Sequence, residues 1–173
     1  MDRAQMQRRK EIVTGLITLL AILSLSVFSV WAWVDRRSTA QTLFSETDVL
    51  LRHFSIEQCT VEIPKYERAR ESLRKQIGGR GILPWTLKQD ALVYHFLVMK
   101  MQAVCADGAL PPLPETDACD KVVACREKAE IFLLHHHYDQ AVAACNHALV
   151  IEDDKAMRIL KSIIVKTAAL PGG

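Results

Sequence analysis

The sequence predicts an all-α protein, in which one N-terminal transmembrane helix precedes a small helical-hairpin stack of about five to six helices. Three observations predict this fold class. An uncharged apolar run fills residues 12–34, later segments space apolar residues three and four apart as helices do, and no segment sustains the alternation of a half-buried strand. A chain of 173 residues is long enough for one domain with an appendage.

The membrane anchor is predicted to run from Ile12 to Val34. This uncharged segment of 23 residues, at a rise of ~1.5 Å per residue, spans about 34 Å and crosses a hydrocarbon core of about 30 Å. Trp31 and Trp33 lie at its outer end, where indole rings favour the headgroup region. This one segment explains why the mean hydropathy of the chain is positive, at +0.08.

The flanking charges predict the orientation of the anchor. Four basic residues precede it and two follow it: Arg3, Arg8, Arg9, Lys10, then Arg36 and Arg37. Because basic residues accumulate on the cytoplasmic side, residues 1–11 are expected to form a cytoplasmic basic tail. The short tail favours a bacterial inner-membrane protein with a periplasmic C-terminal domain.

A cleaved signal peptide is the alternative interpretation of this segment. Ser38, Thr39 and Ala40 supply the small residues of a cleavage site. The apolar run is, however, longer than the ~7–15 residues of a signal peptide, and a charged segment, 35–37, separates it from that site. An uncleaved anchor is therefore the preferred prediction, and cleavage stays open.

The charge balance of the outer part excludes one class of partner. Setting aside the six basic and three acidic residues at the anchor leaves 16 basic and 17 acidic residues, a net charge of −1. Nucleic-acid binding needs a basic surface that can neutralise phosphates. The sequence therefore predicts no nucleic-acid partner.

Residues 35–117 are predicted to form a membrane-proximal helical region. Its helices are expected at 39–57, at 65–77 with Pro64 in the first turn, and from a cap at Thr86 to about Cys105. The third helix is apolar nearly all round, which is typical of the buried centre of a bundle. Glycines at 78, 79 and 81 lack the lysine of a phosphate-binding loop and indicate a helix end. Prolines stiffen the connection at 106–115.

Residues 118–170 are predicted to form three further helices, with Thr116 or Asp117 as the start signal just before them and a disordered tail at 171–173. Within them a recognisable pattern occurs: a small residue at Ala129, an aromatic residue at Phe132, the turn Tyr138-Asp139-Gln140-Ala141, and the pair Ala148-Leu149. With these residues, 122–155 resembles one tetratricopeptide repeat, a helix–turn–helix unit of 34 residues. Cys125, Lys128 and Asp153 depart from the family pattern.

The resemblance implies a fold and a mode of action. Residues 66–69 repeat the pattern of 138–141, either by coincidence or as a degenerate second repeat. Since one unit cannot bury its own apolar faces, the preceding helices and residues 156–169 are expected to cover it. Members of the family are typically scaffolds that bind peptides or partner helices. The expected partner surface is the face of the last hairpin that carries Tyr138, His147 and nearby polar groups.

The five cysteines all lie in the outer part, where an oxidising compartment permits disulfides. If Ala129 faces Ala141 in the hairpin, Cys125 faces Cys145 one turn along, which makes these two the preferred disulfide. Two buried thiols filling the interface are the alternative. A second disulfide is expected between Cys59 and Cys105 or, as an equal alternative, between Cys105 and Cys119. One of the five cysteines is left over in either case.

No other residue pattern indicates catalysis or ligand binding. No C-x-x-C or G-x-S-x-G motif occurs. His135, His136 and His137 are consecutive, so on a helix they point about 100° apart and do not converge on one ion. The sequence therefore predicts no enzyme, no cofactor and no metal site, and no small-molecule substrate is evident.

The function expected from these features is contact with other proteins. The chain is predicted to be an accessory or assembly subunit of a larger envelope complex, such as a secretion or transport machine, with the lipid bilayer and other envelope or membrane proteins as partners. The alternative is a thiol- or metal-handling envelope protein that uses the unpaired cysteine and the histidines.

Overall fold

The computed structural model describes residues 3–78, 85–115 and 119–171, without the side chains of residues 3–11, 60 and 85. These ranges contain no strand and the following helices: α1 (Arg3–Arg52), α2 (Ile56–Gly78), α3 (Trp85–Asp107), α4 (Val122–Leu134), α5 (Tyr138–Ile151) and α6 (Lys155–Ala169). The predicted all-α class is confirmed. The glycine loop at 79–81, the helix start at Thr116 or Asp117, and the last two glycines lie outside the described residues.

The chain divides into two compact units, residues 1–39 and 40–173. Among the described residues, one helix has the length and the apolar composition needed to cross a membrane. It is the part of α1 that runs from Ile12 to Arg52. Hydroxyls of its apolar part donate to the carbonyl four residues earlier at 2.8–2.9 Å: Thr18, Ser24, Ser26 and Ser29. These side chains therefore satisfy their own polar groups, as a lipid environment requires.

Two predicted helix boundaries are wrong. Helix α1 includes both the predicted anchor and the predicted first outer helix, and it ends at Arg52. The charged segment 35–37 between them is compatible with a helix, so it does not interrupt α1. Pro64 lies inside α2 and not at its start. The proline removes one backbone donor, but burial of Cys59, Tyr66 and Leu73 on both sides of it stabilises the helix.

The core of the second unit lies between α2 and α3 and continues to α6. Helix α2 contributes a narrow buried row that includes Tyr66, Ala69 and Leu73, and the facing residues of α3 are also buried: Ala91, Tyr94, Val98 and Met101. Contrary to the sequence prediction, α3 is not buried all round. The side of α3 that faces away from these buried residues is solvent-accessible, and it is described with the candidate site.

Helices α4 and α5 form the predicted hairpin, and α6 packs against α5. Small residues are completely buried along the hairpin: Cys125, Ala129, Ala141, Cys145 and Ala148. Because small side chains let two backbones approach closely, these positions explain the tight hairpin. Helix α6 begins with Asp154, whose carboxylate accepts a hydrogen bond from the amide of Met157 at 2.8 Å.

Candidate functional site

The three consecutive histidines form the turn between α4 and α5 and do not continue a helix. His136 has a positive φ of 61°, which ends the helical path. Each ring contacts a different group: His135 Nε2 lies 2.8 Å from the carbonyl of Pro111, His136 Nε2 lies 2.9 Å from that of Phe54, and His137 Nδ1 lies 2.6 Å from the Gln140 side chain. The histidines therefore hold neighbouring segments together.

The described residues contain no group of three or more histidine, cysteine or acidic side chains that converges on a metal position. The histidine turn illustrates why. Two of its rings contact backbone carbonyls that belong to two distant segments, so their ring nitrogens point apart.

Tyr138 and His147, the predicted partner surface, do not share a face of α5. They are nine residues apart, which corresponds to about half a revolution of a helix. The hydroxyl of Tyr138 lies 3.0 Å from His136 Nδ1, and the guanidinium of Arg52 lies 5.2 Å from its ring centroid. Tyr138 is thus already engaged inside the second unit, so these two residues do not form one docking surface.

The structure brings four of the five cysteines into two pairs at disulfide distance. Cys59 and Cys105 have a Cα–Cα distance of 5.8 Å and link α2 to α3. Cys119 and Cys125 have a Cα–Cα distance of 5.3 Å. The preferred pairing of Cys125 with Cys145 is therefore corrected: the segment before α4 places Cys119 beside Cys125, and Cys145 remains free and buried.

Cys145 is poorly suited to thiol chemistry. Burial, together with the nearby carboxylate of Glu130, raises the pKa of its thiol to about 12, and Lys161 only partly opposes this rise. A reactive cysteine needs an accessible thiolate. At neutral pH the Cys145 side chain is protonated and shielded, so it fills space in the hairpin.

A buried polar pair, absent from the sequence predictions, joins α1 to α3. The hydroxyl of Tyr94 donates to Asp48 Oδ1 at 2.6 Å, and the ring of Phe44 stacks on that of Tyr94 with centroids 4.8 Å apart. Burial raises the pKa of Asp48, and the hydrogen bond from Tyr94 and the charge of Lys166 oppose this rise. Asp48 lies four residues after Phe44 and three before Leu51, so it falls on the apolar face of α1, and a carboxylate on that face was the signal that could have indicated the pair.

A cleft of about 250 Å³ beside this pair carries charges of both signs. Asp90 lines it, and burial raises the pKa of Asp90 while Lys166 and Lys155 lower it. Three basic residues line the cleft together with Asp90: Lys155, Arg158 and Lys166. Arg158 pairs with Asp153, and the carboxylates of Asp90 and of nearby Asp48 oppose the two lysines, so the cleft carries no strong net charge that would select an anion or a cation.

Helix α3 exposes an apolar stripe, here called the α3 stripe, formed by Leu92, Phe96 and Met99. Their exposed fractions are 40%, 45% and 44%, and their spacing of four and three residues places them on one face. The guanidinium of Arg126 lies 5.5 Å from the Phe96 ring centroid. Glu130 accepts from Arg126 at 2.8 Å and from Lys100 at 2.9 Å, which gives the stripe a polar border.

A second surface feature, here called the α1–α2 groove, has a volume of about 580 Å³. Helix α1 and helix α2 each contribute four residues to it: Leu43, Glu46, Val49 and Leu50, then Lys65, Arg68, Ala69 and Ser72. Its interior is mainly apolar and its two walls carry charge.

The chain matches no family model, no curated protein and no solved structure. The function is therefore argued from the surfaces themselves.

Proposed function

We propose that this chain is a bitopic protein of the bacterial inner membrane whose periplasmic helical domain binds another envelope or membrane protein. In this proposal it acts as an accessory or assembly subunit of a larger envelope complex, such as a secretion or transport machine. The observation that carries the proposal is the α3 stripe, because contiguous exposed apolar side chains mark interaction sites.

The composition of the α3 stripe favours a protein as its partner. Phe, Met and Arg are enriched in protein interfaces, and here Phe96, Met99 and Arg126 lie together. The ion pairs of Glu130 border the apolar residues, and an apolar centre with a polar rim is the usual arrangement of an interface. The expected occupant is the apolar face of a helix in the partner protein.

Three observations support the proposed location. Helix α1 contains a segment suited to a membrane, and more basic residues precede this segment than follow it. Two cysteine pairs lie at disulfide distance, and disulfides persist in oxidising compartments such as the periplasm.

The tetratricopeptide-like character of α4 and α5 is part of the proposal. Small buried residues at Ala129 and Ala141 and the covering helix α6 support it. The departures at Cys125, Lys128 and Asp153 make this unit an atypical one.

The alternative, a thiol- or metal-handling protein, has less support. Its unpaired cysteine is Cys145, whose thiol is buried with a raised pKa, and the histidines of the α4–α5 turn contact separate groups. The observations therefore favour a contact function.

Crosslinking of the full chain in native membranes, followed by mild detergent purification, tests the proposal. A stoichiometric complex with a different envelope protein is the expected product. Recovery of the chain as an uncomplexed monomer, with the crosslinker active on a known membrane complex in the same sample, contradicts the proposal.

A further inference from the structure

We infer that the α1–α2 groove binds an amphipathic helix of a partner protein, oriented by opposite charges on its two walls. This inference goes beyond the proposed function because it concerns a surface other than the α3 stripe. It names a second binding site and the chemistry of its ligand.

The first step of the argument is the size of the groove. Its volume of about 580 Å³ is within the range of pockets that bind ligands. The wall residues run from Leu43 to Leu50 and from Lys65 to Ser72, so each wall is two helical turns, or about 10 Å, long. Two turns of a partner helix present apolar side chains at positions i, i+3 or i+4, and i+7, which is the pattern of helix-in-groove recognition.

The second step is the apolar interior. Leu43 and Ala69 are buried at its base, whereas Leu50 is partly exposed and Val49 is 45% exposed. Covering these side chains removes apolar surface from water, which is the main favourable term in association. Burial of these apolar side chains therefore favours binding of an apolar ligand in the groove.

The third step is the charge on the two walls. Glu46 lies on the α1 wall, and Lys65 and Arg68 lie on the α2 wall. Lys65 pairs with Glu62. The ε nitrogen of Arg68 donates to the carbonyl of Pro64 at 3.2 Å, and within the described ranges its terminal nitrogens have no acceptor. Glu46 and Arg68 are thus the charges available to a ligand.

This charge arrangement distinguishes a helix from a membrane lipid. A lipid carries its charges together in one headgroup at one end, so it does not present separate charges along both walls of the groove. A helix can carry a basic residue on one flank of its apolar face and an acidic residue on the other. The expected ligand therefore places a base opposite Glu46 and an acid opposite Arg68.

Site-specific photocrosslinking in native membranes tests the inference on the full chain. A photoreactive side chain replaces Val49 or Ser72, one on each wall, and Val150, which is 84% exposed on α5, serves as the control position. Both groove positions are expected to react with the same segment of one partner protein, and the control position is not. That segment must have the apolar spacing and the opposite flanking charges described above.

Charge reversal supplies the second arm of the test. Arg68→Glu and Glu46→Arg are each expected to lower the crosslinking yield about ten-fold, because a like charge replaces a complementary one. Arg158→Glu, at an exposed arginine on α6 that lies outside the groove and pairs with Asp153, is the control for charge reversal as such and is expected to leave the yield unchanged. Circular dichroism checks that each variant is folded.

Several results overturn the inference: adducts with lipid, adducts with a second copy of this chain, adducts no stronger than at Val150, or yields insensitive to both reversals. If a stoichiometric complex is recovered but its partner does not crosslink to the groove, the inference fails while the proposed function stands.

Discussion

The Asp48–Tyr94 pair shows what a single buried hydrogen bond does in this domain. Tyr94 and Asp48 are 2% and 8% exposed, so neither group has ready access to water as an alternative partner. A buried polar group without a partner costs more than the hydrogen bond itself contributes. The pair therefore specifies how α1 packs on α3.

Removing the Tyr94 hydroxyl, the hydrogen-bond donor of this pair, is expected to destabilise the fold. Tyr94→Phe leaves the Asp48 carboxylate without its hydrogen bond and lowers the free energy of unfolding by about 1–3 kcal/mol at neutral pH. Denaturant unfolding of the full chain in detergent, followed by circular dichroism, measures this change. An unchanged midpoint would mean that water replaces the Tyr94 hydroxyl and that the pair has no role in packing.

The stability of the folded domain is also expected to depend on pH, because the pKa of Asp48 is raised. Because its pKa is raised above 3.8 in the folded state, its contribution to stability is complete below that value and is lost as pH rises through the raised pKa. Asp48→Asn keeps an acceptor for Tyr94 without the charge, so it is expected to be more stable than the parent at pH 7 and equal to it near pH 3. Asp107→Asn, at an exposed aspartate, is the control. A loss of stability in Asp48→Asn at pH 7 contradicts the assignment.

The cysteines give a chemical test at the same scale. Peptide mapping without reduction is expected to find Cys59 linked to Cys105 and Cys119 linked to Cys125. Cys145 is expected to react with an alkylating reagent only after unfolding, because its thiol is buried with a raised pKa. A peptide linking Cys125 to Cys145, or rapid alkylation of the folded protein, would refute this pairing.

At the scale of helices, the structure depends on close approach within the α4–α5 hairpin. Ala129 and Ala141 have no exposed surface, so a larger side chain at either position has no space. Ala143, two residues after Ala141 on the same helix, is exposed and provides a comparison.

Ala141→Leu is expected to lower the free energy of unfolding by about 1–3 kcal/mol because it overpacks the hairpin. Ala143→Leu changes helix propensity by the same amount but points to solvent, so it should be nearly neutral. Thermal unfolding of both variants measures the difference. Equal stability of the two would show that the hairpin is not tightly packed.

The sequence predicted those features that depend on local pattern. Continuous hydrophobicity at 12–34 and helical spacing elsewhere were sufficient for the all-α class, and the small residues at 129 and 141 were sufficient for the hairpin. Pro64 was misinterpreted because the stability of α2 around it comes from tertiary packing, including Cys59 and Tyr66, which spacing does not reveal.

The candidate surfaces were less predictable for the same reason. A uniformly apolar α3 gives no indication of which face remains uncovered, so Leu92, Phe96 and Met99 emerged only from the packing. The partner of Cys125 likewise depends on where the segment containing Cys119 lies relative to α4.

At the scale of the whole molecule, a segment suited to a membrane precedes a helical unit with uncovered apolar surface. If the proposed anchor spans a membrane, tethering would restrict the search for a partner to the membrane plane and raise the effective concentration of partners in the same membrane. Under the proposed function, a weak apolar contact through the α3 stripe would then be sufficient for assembly.

The proposed topology predicts the compartment of the C-terminus. A reporter enzyme that requires disulfides for activity, fused after the last residue and expressed in a bacterium, is expected to be active because the basic residues before the proposed anchor should keep the N-terminus in the cytoplasm. Activity that appears only with a cytoplasmic reporter reverses the topology and also removes the oxidising environment of the cysteine pairs.

Quantitative co-purification of the parent chain and two variants tests the contact function most directly. Phe96→Ser removes the centre of the α3 stripe, whereas Val150→Ser removes an exposed apolar side chain of α5. Phe96→Ser is expected to lose about ten-fold or more of the co-purifying partner, the effect of a central interface aromatic, while Val150→Ser retains the parent amount and both variants stay folded. Equal recovery of partner with all three chains, or recovery with none, would contradict the proposal that this protein works by contact through α3.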